Sequence, residues 1–432
     1  MFSTSKLTRS LLLLAVIHLP ALATTEEDPF ADESWGDNSW AEESAQPWKL
    51  NGFIEAGQGT FLQNNVVNSD SSLSEINARL DFSYQHELFD FTAKGDLRYD
   101  DVLADTFWQT RELNVAFSPL SYLDVKLGRQ VLTWGTGDYL FLNDLFPKDW
   151  QSFFSGRDDE YLKAASDSLR TSWYFSNITL DLAYTPDFTP DNYITGERFS
   201  FFSPQWQDNI APASQFKVDQ TNNEQWSARL ASNYQGIEYA LYGYHGFWTT
   251  PVGVNSIGMP YFPRLNSWGA SVRMPIGDGI FNSEFSIYNS SEDGSGTSPL
   301  IANGQRRFLI GYEQELIKNL TASVQYYVEQ TKDYQAFKAS SSLPDQLVDE
   351  YRQLLTLRLR YMALQQKLVA SVFAFYSPTD SDAYIKPSIN YRYNDNWSYA
   401  VGANLFTGKD DFSFFGQHQN NTNVWARVRF QF

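Results

Sequence analysis

From Trp48 to Phe432, apolar and polar side chains alternate with a period of two, the pattern of half-buried strands and not of helices. The segment 73–88 shows it most clearly. Ile76, Ala78, Leu80, Phe82 and Tyr84 fall on one face, and Asn77, Arg79, Asp81, Ser83 and Gln85 on the other. In 91–104, Phe91, Ala93, Leu97 and Tyr99 oppose Thr92, Lys94, Asp96, Arg98 and Asp100. Such a run of inward polar residues does not suit a dry core, because unpaired buried charge is costly; it suits water. The same reading marks strands over 48–62, 73–88, 91–104, 107–118, 121–134, 168–176, 178–186, 224–235, 237–249, 263–276, 280–290, 304–315, 319–332, 350–363, 367–376, 382–394, 396–408 and 421–432. That is about 18 strands, within a range of roughly 16–18.

The connections alternate in length. Short ones at Phe89-Asp90, 118–120, Asn177, Gly236, 277–279, 317–318, 364–366 and Asp395 carry turn chemistry; long ones occupy 63–72, 135–167, 187–223, 250–262, 291–303, 333–349 and 409–420, with 105–106 and 377–381 short for that set. Alternating short and long connections on an even number of strands predict an all-β fold, a transmembrane antiparallel β-barrel with both termini on the periplasmic side. The last strand sets Val424, Ala426, Val428, Phe430 and Phe432 against Asn423, Trp425, Arg427, Arg429 and Gln431. A terminal strand closing on Phe resembles the signal that the barrel-assembly machinery reads, so that machinery is an expected partner through Phe432. A soluble two-sheet sandwich, the competing architecture, would leave the loop asymmetry and Phe432 unexplained.

The N-terminus changes the picture in one respect. Lys6 and Arg9, the apolar run Leu11 to Leu19 and Ala21-Leu22-Ala23 have the three parts of a secretory signal peptide over 1–23, which would leave 432 − 23 = 409 residues. Residues 24–47 hold Glu26, Glu27, Asp28, Asp32, Glu33, Asp37, Glu42 and Glu43 with no Lys or Arg, and read as a disordered acidic periplasmic leader. Its Trp35 and Trp40 could dock on a periplasmic partner or fold back into the pore. Net charge is −19, or −21 once Lys6 and Arg9 are removed, which argues against nucleic acid. Aromatic residues make up 16% of the chain although mean hydropathy is −0.41. A barrel accommodates both, through aromatic girdles and a polar lumen. Trp48, Trp108, Trp173, Trp248, Trp268 and Trp397 are the expected girdle residues, facing outer-membrane lipid and lipopolysaccharide.

A barrel of this size leaves an aqueous channel. Strand parity turns Arg79, Arg98, Arg229, Arg273, Arg358, Arg360, Arg392, Arg427 and Arg429 inward among acids such as Asp81, Asp96, Asp181, Glu238, Glu284, Glu313 and Glu329. Arg presents paired donors to carboxylate or phosphate, so a polar or anionic solute is expected; the competing reading is that these arginines pair with the acids and tie the wall together. The loop 135–167 is too apolar over Tyr139 to Leu142 and Leu145-Phe146 to stand in water. Folding it into the lumen would place Asp138, Asp144, Lys148, Asp149 and Arg157 at the narrowest point. The segment Gly128-Arg129-Gln130, Trp134-Gly135 and Asn143-Asp-x-x-Pro147 resembles the alginate-export and related porin-like barrels of Gram-negative outer membranes. The resemblance implies an Arg-rich pore conducting an anion, with Arg129 as a lumen contact.

Enzymatic and metal-binding readings find no support. There is no Cys, and His86, His245 and His418 are not spaced as a catalytic or metal-binding set. No cofactor is expected. The alternative to a channel is a non-conducting barrel scaffold that binds a periplasmic or surface partner.

Overall fold

The computed structural model describes residues 46–212, 217–219, 223–341, 343 and 346–432. The expected signal peptide and all of the expected acidic leader but Gln46 and Pro47 lie outside them. Eighteen strands form one sheet: β1 (Trp48–Phe61), β2 (Leu73–His86), β3 (Phe89–Asp100), β4 (Asp105–Leu120), β5 (Leu123–Val131), β6 (Ala165–Phe175), β7 (Ile178–Thr185), β8 (Gln225–Tyr234) and β9 (Ile237–Phe247) in the first half. The second half holds β10 (Arg264–Ile276), β11 (Gly279–Ser290), β12 (Gln305–Ile317), β13 (Leu320–Thr331), β14 (Tyr351–Ala363), β15 (Leu368–Ser377), β16 (Asp382–Arg392), β17 (Trp397–Gly408) and β18 (Asn423–Gln431). Each strand pairs antiparallel with its neighbours in sequence. The last closes on the first, from Phe53↔Gln431 to Phe61↔Asn423, so the sheet has no free edge and every backbone polar group of the wall can pair within it.

The strands match the expected segments to within a few residues, because closure forces one face of each strand toward lipid and the alternation records it. Ile54, Ile76, Leu80, Leu97, Leu113, Leu127, Leu241 and Trp268 are exposed on the outer face; Glu55, Asn77, Arg79, Asp96 and Arg98 are buried on the inner one. Three departures matter for the interior. The register of β3 against β4 slips between Lys94 and Gly95, where Glu112 and Thr110 are the partners and Arg111 is the extra residue. This bulge turns Arg111 inward, where simple parity would have sent it to lipid. Trp248, expected in a girdle, is instead 7% exposed inside the barrel against Tyr288. Finally, the lumen is not uniformly polar. On β15 and β16, Phe373, Phe375 and Tyr384 point inward and pack with Phe406 and Phe415 around Phe153 and Phe154 from the loop after β5. The continuous apolar run from Leu368 to Tyr376, broken only by Ser371, is the sequence trace of that aromatic interior.

Every second connection is a turn of a few residues, as at 87–88, 121–122 and 176–177, and these turns share one rim with both ends of the sheet. The long connections share the other rim, which in barrels of this kind faces outward.

Candidate functional site: the lumen and its inward loop

The loop between β5 and β6 follows the inner wall as a collar. Ahead of it, within β5, Gly128 has φ +119° and any Cβ there would meet the carbonyl oxygen of Leu113 at 2.3 Å. Gln130 is buried and its side-chain amide donates to the Ser168 carbonyl at 3.0 Å. Trp134 then packs edge-on to Phe146 at 4.9 Å. On the far wall Glu284, 1% exposed, accepts from the amide of Gly137 at 2.9 Å, from Asn143 Nδ2 at 2.8 Å and from the amide of Thr136. Asn282 Nδ2 donates to the Thr136 carbonyl at 2.9 Å and Tyr288 donates to the Leu142 carbonyl at 2.7 Å. The apolar stretch expected to fold inward does so: Leu142 is buried and Tyr139, Leu140 and Phe141 pack against the aromatic wall.

The helix α1 (Trp150–Ser155) continues the collar. Asp149 caps it by accepting from the Ser152 amide at 2.7 Å, and Gly156 ends it in a left-handed turn against the ring of Trp425. Asn404 and Asn423, on β17 and β18, donate to the Phe154 carbonyl at 2.8 and 3.1 Å. Beyond it, Arg157 binds Glu75 at 2.6 Å and Asp100 at 2.9 Å, and Arg198 from the next long loop reaches Asp100 and the Ser72 carbonyl. Burial and the neighbouring Arg157 push Arg198 down to about 10, which leaves it a cation at neutral pH. Tyr161 accepts from Arg79 Nη2 at 2.7 Å, and the guanidinium carbons of Arg79, Arg98 and Arg111 each lie 4.9 Å from its ring centre. Arg427 and Arg429 hold Glu55 at 3.0 and 2.8 Å and Asp158 at 3.4 Å; burial alone would raise the Asp158 carboxyl, but the two cations keep it below the usual carboxylate range.

The expected pore arginines therefore divide. Arg79, Arg98, Arg427 and Arg429 face inward but are consumed in fastening the collar. Arg229, Arg273 and Arg358 line an open cavity of about 780 Å³ on the short-turn side, beside Arg170 and the acids Asp138, Asp181, Glu238 and Glu313. Arg170 and Arg229 share Asp181 at 3.0 and 3.3 Å, and Arg358 binds Asp138 at 3.1 Å and also Glu313. Arg360 lies on the same face of β14 as Arg358, and Arg392 on the inner face of β16 near the short-turn rim. Arg129 departs from the expectation. It stands opposite Leu113 and Asp167, both exposed on the outer face, and pairs with Asp167 at 3.1 Å. Its neighbour Gln130 takes the inward position, as strict alternation requires.

The loop residues divide too. Asp138 alone reaches the open cavity, where burial holds its carboxyl above the usual range despite Arg358. Asp144 and Lys148 form a buried pair at 2.9 Å, Asp149 is the helix cap and Arg157 belongs to the buried network. Arg111 and Arg198 were missed, the first because of the bulge and the second because a long loop has no periodicity to read.

On the long-loop side, His418 is buried between Phe154 and Phe406, and its Nδ1 lies 3.3 Å from the Ser200 carbonyl. Burial pushes it down to about 4 from 6.5. The folded state therefore binds fewer protons than the unfolded one between those values, so its contribution is full above pH 6.5 and is lost as pH falls through 4. The amount is about 3 kcal/mol. Asp191, raised by burial to about 6, acts in the opposite sense over much of the same range. Comparing wild type with His418→Asn isolates the histidine: protease cleavage within 409–422 is expected to rise between pH 7 and 4.5 in wild type and to change less in the variant.

No family model and no curated protein matches the chain. Solved structures share its fold at low identity. Pseudomonas aeruginosa OccD3 (OpdP) aligns with a TM-score of 0.52 at 11% identity, over 89% of this chain and 91% of that one. The outer membrane protein OpdK from P. aeruginosa aligns at 0.54 and 9%, over 89% and 98%, and Acinetobacter baumannii OccAB4 at 0.54 and 8%, over 90% and 100%. This likeness shows the fold, a closed antiparallel β-barrel like those of these outer-membrane proteins, and the exposed apolar outer face of the wall agrees with it. It does not extend to the alginate-export resemblance, whose motif residues here serve to launch and anchor the collar.

Proposed function

We propose that the chain is an outer-membrane channel for passive passage of a polar solute, with anions favoured, through a lumen constricted by the loop 135–167. The observation that carries the reading is the open, polar cavity of about 780 Å³ inside a closed wall, lined by Arg229, Arg273 and Arg358. Its charge is nearly balanced, which implies weak selectivity. Among the described residues that carry no ion pair, Arg273 and Arg360 stand on the inner face with Glu238 and Asp124, so the preference rests on the paired donors that the arginines present to an anion and not on net charge.

The reversal potential of the purified protein in a planar bilayer under a salt gradient tests this. A modest anion preference is expected, moving toward cations in Arg273→Glu and staying unchanged in Arg129→Glu, whose side chain faces outward. Equal shifts in both variants would refute the lumen assignment. A folded barrel that never conducts would transfer the case to the scaffold reading.

A further inference from the structure

On the other side of the collar lies a second cavity, of about 720 Å³, with different chemistry. One wall is a row of inward residues at a single level: Trp248, Tyr288, Arg307, Glu329 and Arg352, the last three in direct register across β12, β13 and β14. Facing it are Tyr139, Phe141 and Trp150 of the collar, each partly exposed. Phe412 and Phe414, 38% and 49% exposed, stand at the mouth, an unusual placement for large apolar rings in an external loop.

The charges bordering this cavity are largely spoken for. Lys148 holds Asp144 at 2.9 Å, Arg307 holds Glu329 at 3.2 Å and Arg352 holds Asp380 at 2.7 Å. Asp191, Asp349, Asp410 and Lys409 also border the cavity without an ion pair among the described residues, three acids to one base, so the remaining charge offers an anion no net attraction; what else remains is π surface and two donors. Trp248 Nε1 and Arg352 Nη2 are buried and find no acceptor among the described residues, and a buried donor without a partner costs about 1–3 kcal/mol. Both residues border the cavity.

We infer that the external cavity is a binding site for a small aromatic solute bearing a hydrogen-bond acceptor, recognised by its ring and not by its charge. The ring lies among the collar and mouth aromatics in edge-to-face contacts, and a small turn of the Trp248 indole or the Arg352 guanidinium toward the cavity brings an unpaired N–H to the solute's acceptor. The paired cations give little further gain to an anion over a neutral molecule of the same shape. The site adds a capture step ahead of the channel proposed above, but the binding does not depend on conduction.

The test is titration of the folded, detergent-solubilised protein with benzyl alcohol, benzoate, acetate and glucose, taking the saturable part of each isotherm. Benzyl alcohol and benzoate are expected to bind with similar affinity, and acetate and glucose not to saturate. Phe412→Ser/Phe414→Ser should weaken both aromatic ligands by about tenfold. Trp248→Phe, which keeps a ring and removes the donor, should weaken benzyl alcohol but not toluene. Acetate competing as well as benzoate would overturn the inference in favour of a charge site, and saturable glucose binding in favour of a sugar site. Aromatic binding that ignores all of these substitutions would also overturn it. A barrel that binds aromatics yet fails to conduct would leave this inference standing and remove the channel.

Discussion

Replacing Glu284 by alanine is expected to raise single-channel conductance several-fold and to open the 135–164 collar to protease, while the barrel stays folded. The carboxylate is buried and accepts from the Thr136 and Gly137 amides and from Asn143 Nδ2. Alanine leaves three donors without their charged acceptor, the buried Asn143 among them. The docked collar loses about 3 kcal/mol, roughly a hundredfold in its docked population. The wall does not depend on this bond, because β11 keeps its ladders to β10 and β12. Glu284→Gln retains one acceptor oxygen and should fall between wild type and alanine. Protease sensitivity separates the two meanings of an unchanged conductance. If the collar opens and conductance does not move, the collar is not the constriction; if neither changes, Glu284 is not the anchor.

Arg157→Met should produce the largest loss of stability in the interior, about 3–5 kcal/mol, read as a lower denaturant midpoint for collar unfolding. The guanidinium is buried against Glu75 and Asp100, with Ser152 Oγ accepting a further bond at 3.1 Å. Methionine fills much of the volume but leaves two buried carboxylates sharing Arg98 and Arg198. Because the cost lies mainly in stranded charge, Glu75→Gln in the same chain should recover part of it. A double variant no more stable than Arg157→Met would mean that lost packing, not charge, is the cause. Arg129→Met, whose side chain pairs with an exposed Asp167 on the outer face, should cost much less.

Much of the wall was legible beforehand. The alternation in 73–88 reappears as Arg79 buried within and Leu80 exposed without, and all the barrel strands fall on expected segments. The expected inward fold of the loop after β5 was legible too, since Tyr139 to Leu142 had no other surface to cover. The site itself was legible only in part. Parity turned Arg273 and Arg358 to the face that borders the open cavity, but no periodicity reveals that Arg79 and Arg427 would be consumed by Tyr161, Glu55 and Asp158, residues far away in sequence. Arg129 was carried inward on the strength of a resemblance, against the parity of its own strand.

The sequence by itself determined the strand count, the inner and outer faces and the alternation of turns and loops, because each depends on neighbours within a few residues and on a single solvent boundary. Only the tertiary structure decided which inward charges remain open to a solute, where the collar anchors, and that the external half of the lumen is aromatic. Those outcomes depend on which distant side chains meet inside a closed ring. A single bulge at Arg111 or one carboxylate such as Glu284 settles them, and neither leaves a periodic trace.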